Sequence, residues 1–90
     1  MTYTYDPQAD ALYVALGTGE FGRTIAVDED RNVDLDATGG ALGIEVIGAS
    51  EGFQLTDLVD RFGLQRYTSA LQDIQARRFQ KAPHPGSARI

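Results

Sequence analysis

Tyr5-Asp6-Pro7-Gln8-Ala9-Asp10-Ala11-Leu12-Tyr13-Val14 reads as a turn that feeds a strand. Proline fixes φ and has no N–H to give a ladder, so Asp6-Pro7 interrupts an extended chain. Asp6 is placed to cap the N–H groups of the short turn from Pro7 to Asp10. Upstream, Thr2-Tyr3-Thr4-Tyr5 alternates with period two, which puts Tyr3 and Tyr5 on one face. Downstream, Ala11 to Leu16 alternates as well. Leu12, Val14 and Leu16 point one way, and Ala11, Tyr13 and Ala15 the other.

The same pattern recurs further along the chain. Gly17-Thr18-Gly19-Glu20-Phe21-Gly22 is a glycine-rich loop, and Arg23 to Asp28 follows as a strand with Ile25 and Val27 inward. Glu29-Asp30-Arg31 makes a charged turn. Asn32-Val33-Asp34-Leu35-Asp36 and Ala41 to Ile47 form a hairpin around Ala37-Thr38-Gly39-Gly40, where glycine takes positive φ without steric cost. Val33, Leu35, Leu42, Ile44 and Val46 fall on the core face. Asp34, Asp36, Glu45 and Ile47 fall on the opposite one.

After Gly52 the apolar spacing lengthens to the helical period. Leu55, Leu58, Val59 and Phe62 mark a short helix with Thr56 as its N-cap, and Gly63 sits where a left-handed helix end should. Leu64 then packs back on Val59. A second helix over 65–79 carries Tyr67, Ala70, Leu71 and Ile74 along one stripe, with Asp73 and Arg77 as an i,i+4 pair. From Lys81 on, Pro83-His84-Pro85-Gly86-Ser87 gives a flexible tail over 81–90. The expected fold is α+β: an antiparallel β-meander of four to five short strands, then one or two C-terminal helices packed on one sheet face. The single domain spans 1–80, with the sheet in 1–50 and the helical part in 55–79.

Ninety residues bury roughly 60–65% of the surface the unfolded chain exposes, and a core that small is often stabilised by oligomerisation. A homodimer is therefore expected, through Tyr67, Leu71 and Ile74 or through the second sheet face around Tyr13 and Ile47. No cysteine is present, so disulfide and thiolate chemistry are excluded. No basic cluster with an apolar run opens the chain and no apolar run reaches membrane length, so a cytoplasmic protein without membrane contact is expected. Residues 1–50 hold nine acids against two arginines, a balance of −7, and residues 51–90 hold four acids against six basic residues, +2. The acidic half repels nucleic acid and attracts basic surfaces. Asp10, Asp34, Asp36 and Glu45 are the candidate contacts for a basic protein partner.

The chemistry-bearing patterns are weak. Asp28-Glu29-Asp30-Arg31-Asn32-Val33-Asp34 suggests a calcium loop, but Val33 stands where the sixth-position glycine belongs and Gly39 where the glutamate belongs. Gly17 to Gly22 matches G-x-G-x-x-G literally, yet it leads into a strand and Glu20 would oppose a phosphate. His84, the one histidine, lies between prolines with no group to orient it, and one histidine without cysteines does not make a zinc site. Asp34 and Asp36 share an outer face, not a cleft that could split their pKa values. No enzyme, metal or cofactor is expected. Residues 56–74 resemble a helix-turn-helix, with Gln65, Arg66, Thr68 and Ser69 offered to a groove, and a DNA-binding regulator is the alternative reading. Against it, Ser69 and Gln72 stand where such a motif packs apolar residues.

The opening motif, with Asn32-Val33-Asp34-Leu35-Asp36 and Leu42-Gly43-Ile44-Glu45-Val46, resembles the small bacterial and archaeal family called domain of unknown function 2283. Its members read Tyr-Asp-x-Glu-Ala-Asp-Ala-Leu-Tyr, then a Val-Asp-hydrophobic-Asp hairpin ending in Gly-Ile-Glu. The resemblance covers roughly residues 3–50, with Gln8 in place of the usual acid. It implies a small β-rich domain and an antitoxin-like or accessory role, and it carries over no catalytic residue.

Overall fold

Apolar residues at alternate positions draw five segments into strands: β1 (Thr2–Asp6), β2 (Ala11–Ala15), β3 (Phe21–Ala26), β4 (Arg31–Asp36) and β5 (Ala41–Ile47). In the computed structural model, which describes residues 1–83, they form one antiparallel sheet in the spatial order β1-β2-β5-β4-β3. The hairpin β1–β2 and the three-stranded run β3–β4–β5 join where β5 lies beside β2. Leu12 faces Val46 there, and Val14 faces Ile44. Leu16 and Gly17 both donate their N–H to the Leu42 carbonyl, at 2.7 and 3.1 Å, before the chain passes to the far edge at β3.

Two short helices follow, α1 (Val59–Phe62) and α2 (Thr68–Gln75), each preceded by a 3₁₀ turn, Thr56–Leu58 and Gln65–Tyr67. Leu55, Leu58, Val59, Leu64, Leu71 and Ile74 pack on Leu12, Val14, Val33, Leu35, Ile44 and Val46 in one core. The α+β class and the helical cover on one sheet face are as the sequence implies. The end of α1 also forms as expected. Gly63 adopts φ 66°, and Leu64 N–H reaches back 2.9 Å to the Val59 carbonyl, the longer bond of a Schellman end.

Four local expectations are corrected. Leu42 does not share the core face with Ile44 and Val46. Asp34 faces Gly43 while Leu35 faces Ala41, so Leu42 is the extra residue of a bulge and Ala41 packs on the core in its place. Thr56 is not an N-cap, because the chain before α1 is capped from a distance. The Gln75 side-chain carbonyl accepts from Leu55 N–H at 2.6 Å and from Thr56 N–H at 3.0 Å. The second helix stops at Gln75 instead of reaching residue 79, since Phe79 leaves it to stack on Tyr5, Tyr3 and Phe53 with centroids 4.7, 5.9 and 6.0 Å away. The Asp73–Arg77 pair accordingly does not form. Arg77 lies beyond the helix with its guanidinium 5.5 Å from the Tyr3 ring centroid.

The chain is also held further than residue 80. Ala82 donates its N–H to the Pro7 carbonyl at 2.8 Å, which ties the segment after α2 to the β1–β2 turn. The rest of the expected tail, including His84, lies outside the described residues. Among the described residues, no helix is long and apolar enough to cross a membrane.

Candidate functional site

Asp10 closes the β1–β2 turn in the left-handed region, φ 52°, which a non-glycine residue enters only when its surroundings hold it there. Those surroundings are visible. The carboxylate accepts from Tyr5 Oη at 2.7 Å, from Ser50 N–H at 2.9 Å and from Ser50 Oγ at 2.7 Å. Its backbone carbonyl accepts from Gly48 and Ala49, at 2.8 and 3.2 Å. Asp10 thus joins the first turn to the segment after β5. It is only 9% exposed, so it is not the partner contact that its acidity suggests. Burial alone would raise its pKa, but the Ser50 and Tyr5 hydrogen bonds outweigh that and hold it below the usual carboxylate value. The Tyr5 phenol is pushed up to about 12, by burial first and then by its bond to Asp10.

The outer face of the sheet carries a second network. Register puts Tyr13 opposite Glu45, Glu45 opposite Asn32, and Gly43 between Ala15 and Asp34. The Tyr13 ring lies diagonally over Gly43, where an added Cβ would overlap its Oη and Cζ. That passage lets Tyr13 donate to Asp34 Oδ2 at 3.0 Å, while Thr24 Oγ1 donates to Asp34 Oδ1 at 2.6 Å. Asn32 donates to Glu45 at 3.0 Å. Burial, the bond to Asp34, and the nearby Asp34 and Glu45 charges push the Tyr13 phenol up to about 12. A phenol so protected keeps its proton at neutral pH and is no base. Its partner carboxylate is already engaged by two donors.

Asp36 serves its own hairpin. Its Oδ1 accepts from Thr38 N–H, Thr38 Oγ1 and Gly40 N–H at 2.8–2.9 Å, and these donors, the Thr38 hydroxyl first, lower its pKa. So the four acids singled out in the sequence are not one surface. Asp34 and Glu45 share the outer face, both half-buried and hydrogen-bonded, and Asp10 and Asp36 organise separate turns. The expected dimer residues are corrected as well. Leu71 and Ile74 are 0% and 3% exposed inside the core, and Tyr67 donates its hydroxyl to the Leu16 carbonyl at 2.9 Å. Ile47 on the outer face is 42% exposed.

Glu20 and Asp73 stand alone without side-chain partners among the described residues, but three other such acids gather at the β3–β4 turn and just past β5. Arg31 is the exception that marks the place. It donates to Asp28 at 2.8 Å and to Asp57 at 2.7 Å, tying the turn to the helical layer, and the pair keeps its guanidinium firmly protonated. The Arg31 hydrogen bond in turn lowers the Asp28 pKa. Around it, the exposed side chains of Glu29, Asp30 and Glu51 have no hydrogen-bond or ion-pair partner among the described residues. An open groove of about 460 Å³ lies between Asp30, Arg31, Ile47, Glu51 and Phe53. The sequence signal for this site was present in the run Asp28-Glu29-Asp30. What it lacked was Glu51, which only the fold brings beside that run.

Among the described residues, no group of histidine, cysteine and acidic side chains is arranged to hold a metal. In 56–74, α1 is a single turn of four residues, and Gln65, Arg66, Ser69 and Gln72 are exposed. Comparison with curated proteins and with solved structures finds no match. The model of the family described as Protein of unknown function (DUF2283) matches residues 2–50, the five strands, the two carboxylate networks and the acidic turn between them, and the chain belongs to that family.

Proposed function

We propose that this protein is a non-enzymatic interaction protein, antitoxin-like or accessory in role, that recognises a basic segment of another protein. The observation that carries the reading is the separation of its acids. Asp10, Asp34 and Asp36 are held by internal donors, whereas Asp30 and Glu51, without side-chain partners among the described residues, line an open groove, with Glu29 next to Asp30 on the turn. Charges that serve no internal contact and share one sign accelerate and select encounters with a surface of the other sign. The groove adds apolar surface from Ile47 and Phe53, on which the stem of a lysine or arginine can lie. Affinity capture from the native host at low salt tests the reading. A basic protein should be retained in stoichiometric amount by the wild type and released by Asp30→Asn/Glu51→Gln. Retention of no basic protein at low salt refutes it.

The homodimer in this proposal uses the outer face around Tyr13 and Ile47, because Leu71 and Ile74 are buried in the core and Tyr67 is bonded to Leu16. A monomer mass by light scattering at high micromolar concentration refutes that part alone.

A further inference from the structure

The sheet treats its two edges differently. Along β1, the chain after α2 returns with Phe79 on Tyr3 and Tyr5, and Ala82 bonded to Pro7. Among the described residues nothing comparable screens β3, where every residue but Ile25 is exposed and Phe21 is 59% exposed. Its free backbone groups follow from the register. Val27 N–H bonds to the Arg31 carbonyl, and Ile25 faces Val33, so residues 25 and 27 turn their polar groups toward β4. The N–H and C=O of Thr24 and Ala26 therefore point outward, and among the described residues no backbone group outside the ladder bonds to them. The bulge that often blunts an edge is confined to Phe21–Arg23, which leaves Arg23–Ala26 in regular register.

Exposed acids bracket this open stretch: Glu20 before it, Asp28, Glu29 and Asp30 after it. We propose that the β3 edge accepts an extended segment of a partner protein as a sixth strand, bonded to Thr24 and Ala26 and carrying lysine or arginine at its ends. The inference rests on the basic-partner reading and adds the geometry of docking. A second copy of the chain fits this edge poorly. Antiparallel self-pairing with faces matched sets Arg23 against Arg23 when centred on that residue. Centred on Thr24 or Ile25 it brings the acidic turn of one copy, Asp28 to Asp30, toward Glu20 of the other. Like charges directly opposite destabilise a pair, and a lysine-ended strand relieves each of these acids.

The probe is a lysine-flanked Thr-Val-Thr-Val peptide, with the same peptide N-methylated through its core as control. Few backbone bonds and a small contact area imply weak, transient binding. Amide exchange of the isotopically labelled protein at low salt should show Thr24 and Ala26 protected about tenfold or more at millimolar peptide. The N-methylated peptide should protect neither. Ala26→Pro, which removes an N–H the monomer does not use, should weaken binding about tenfold while the other sheet amides keep their protection. Peptide binding that needs Asp30 and Glu51 but leaves Thr24 and Ala26 exchanging freely overturns the edge and spares the basic-partner reading. Absence of binding at low salt overturns both. Protection of Thr24 and Ala26 that rises with protein concentration alone makes the occupant a second copy and overturns the proposal.

Discussion

Asp10 and Asp30 are both turn aspartates of the same acidic half, and the fold gives them opposite roles. Asp10 sits among Tyr5 and Ser50 and is buried, whereas Asp30 sits at the tip of the β3–β4 turn, exposed, with no side-chain partner among the described residues. The outer sheet face repeats the contrast, since Asp34 has Tyr13 and Thr24 while Glu29, in the turn before its strand, has no side-chain partner among the described residues. Whether a carboxylate builds the fold or is left to solvent is decided by the donors within reach, not by the local density of charge. An unpaired buried acid is costly, so donors gather where acids are buried. An exposed acid is solvated and needs none.

The structural half of this comparison is the easier to break. Gly43→Ala should have the largest effect, because its methyl collides with the Tyr13 ring and displaces the phenol from Asp34. A loss of about 3 kcal/mol is expected in denaturant unfolding. Tyr13→Ala in the Gly43→Ala background should cost less than the sum of the single losses, the mark of residues in contact. Asp10→Ala ranks next, at about 2–3 kcal/mol, since it strands the Ser50 N–H and Tyr5 hydroxyl and leaves alanine in a left-handed conformation. Asp10→Gly relieves the backbone but not the stranded donors, and should fall between Asp10→Ala and wild type.

The sheet and its partner helices were legible in the sequence because alternation and helical spacing are local signals. The Tyr5–Val14 segment gave a turn and a strand, and Gly63 gave a helix end, each from residues within a few positions. Most of the misses depend on distant residues. Gln75 caps a helix 20 positions earlier, Phe79 abandons its helix for Tyr5, and Asp10 finds Ser50 40 positions away. Leu42 failed for a subtler reason, since a bulge inserts one residue and exchanges the faces of Ala41 and Leu42 on its far side. The candidate site was half readable: the run Asp28-Glu29-Asp30 stands in the sequence, but Asp34 and Asp36 look equally acidic there until their donors are known.

Titration reads several of the held groups without mutation. The Asp10, Asp28 and Asp36 pKa values are lowered in the folded protein, so their contribution is present above about pH 4 and is lost as pH falls through their folded values. The phenols run the other way. Tyr5 and Tyr13 are raised to about 12, so their contribution is full below about pH 10 and is lost as pH rises toward their folded values. The melting temperature should therefore fall at both ends of the pH range. Phenolate absorbance should show Tyr5 and Tyr13 titrating late. Tyr13→Phe should flatten the alkaline limb. An alkaline limb unchanged in both Tyr13→Phe and Tyr5→Phe would show that neither phenol is held as described.

The smallest effect on stability should come with the largest effect on recognition. Asp30→Asn with Glu51→Gln removes two exposed charges that hold nothing in place, so unfolding should shift by no more than about 0.5 kcal/mol. Binding of a lysine-rich peptide at low salt should nevertheless weaken about fivefold to tenfold, and the remaining affinity should depend less on salt. Asp34→Asn should show the reverse, costing about 1 kcal/mol through its weakened bonds to Tyr13 and Thr24 while leaving peptide affinity within about twofold. The crossed pattern matters more than either number. If Asp34→Asn abolished binding while the double variant did not, the outer sheet face would be the recognition surface after all. The donors around Asp34 would then be orienting it for a partner as well as for the fold.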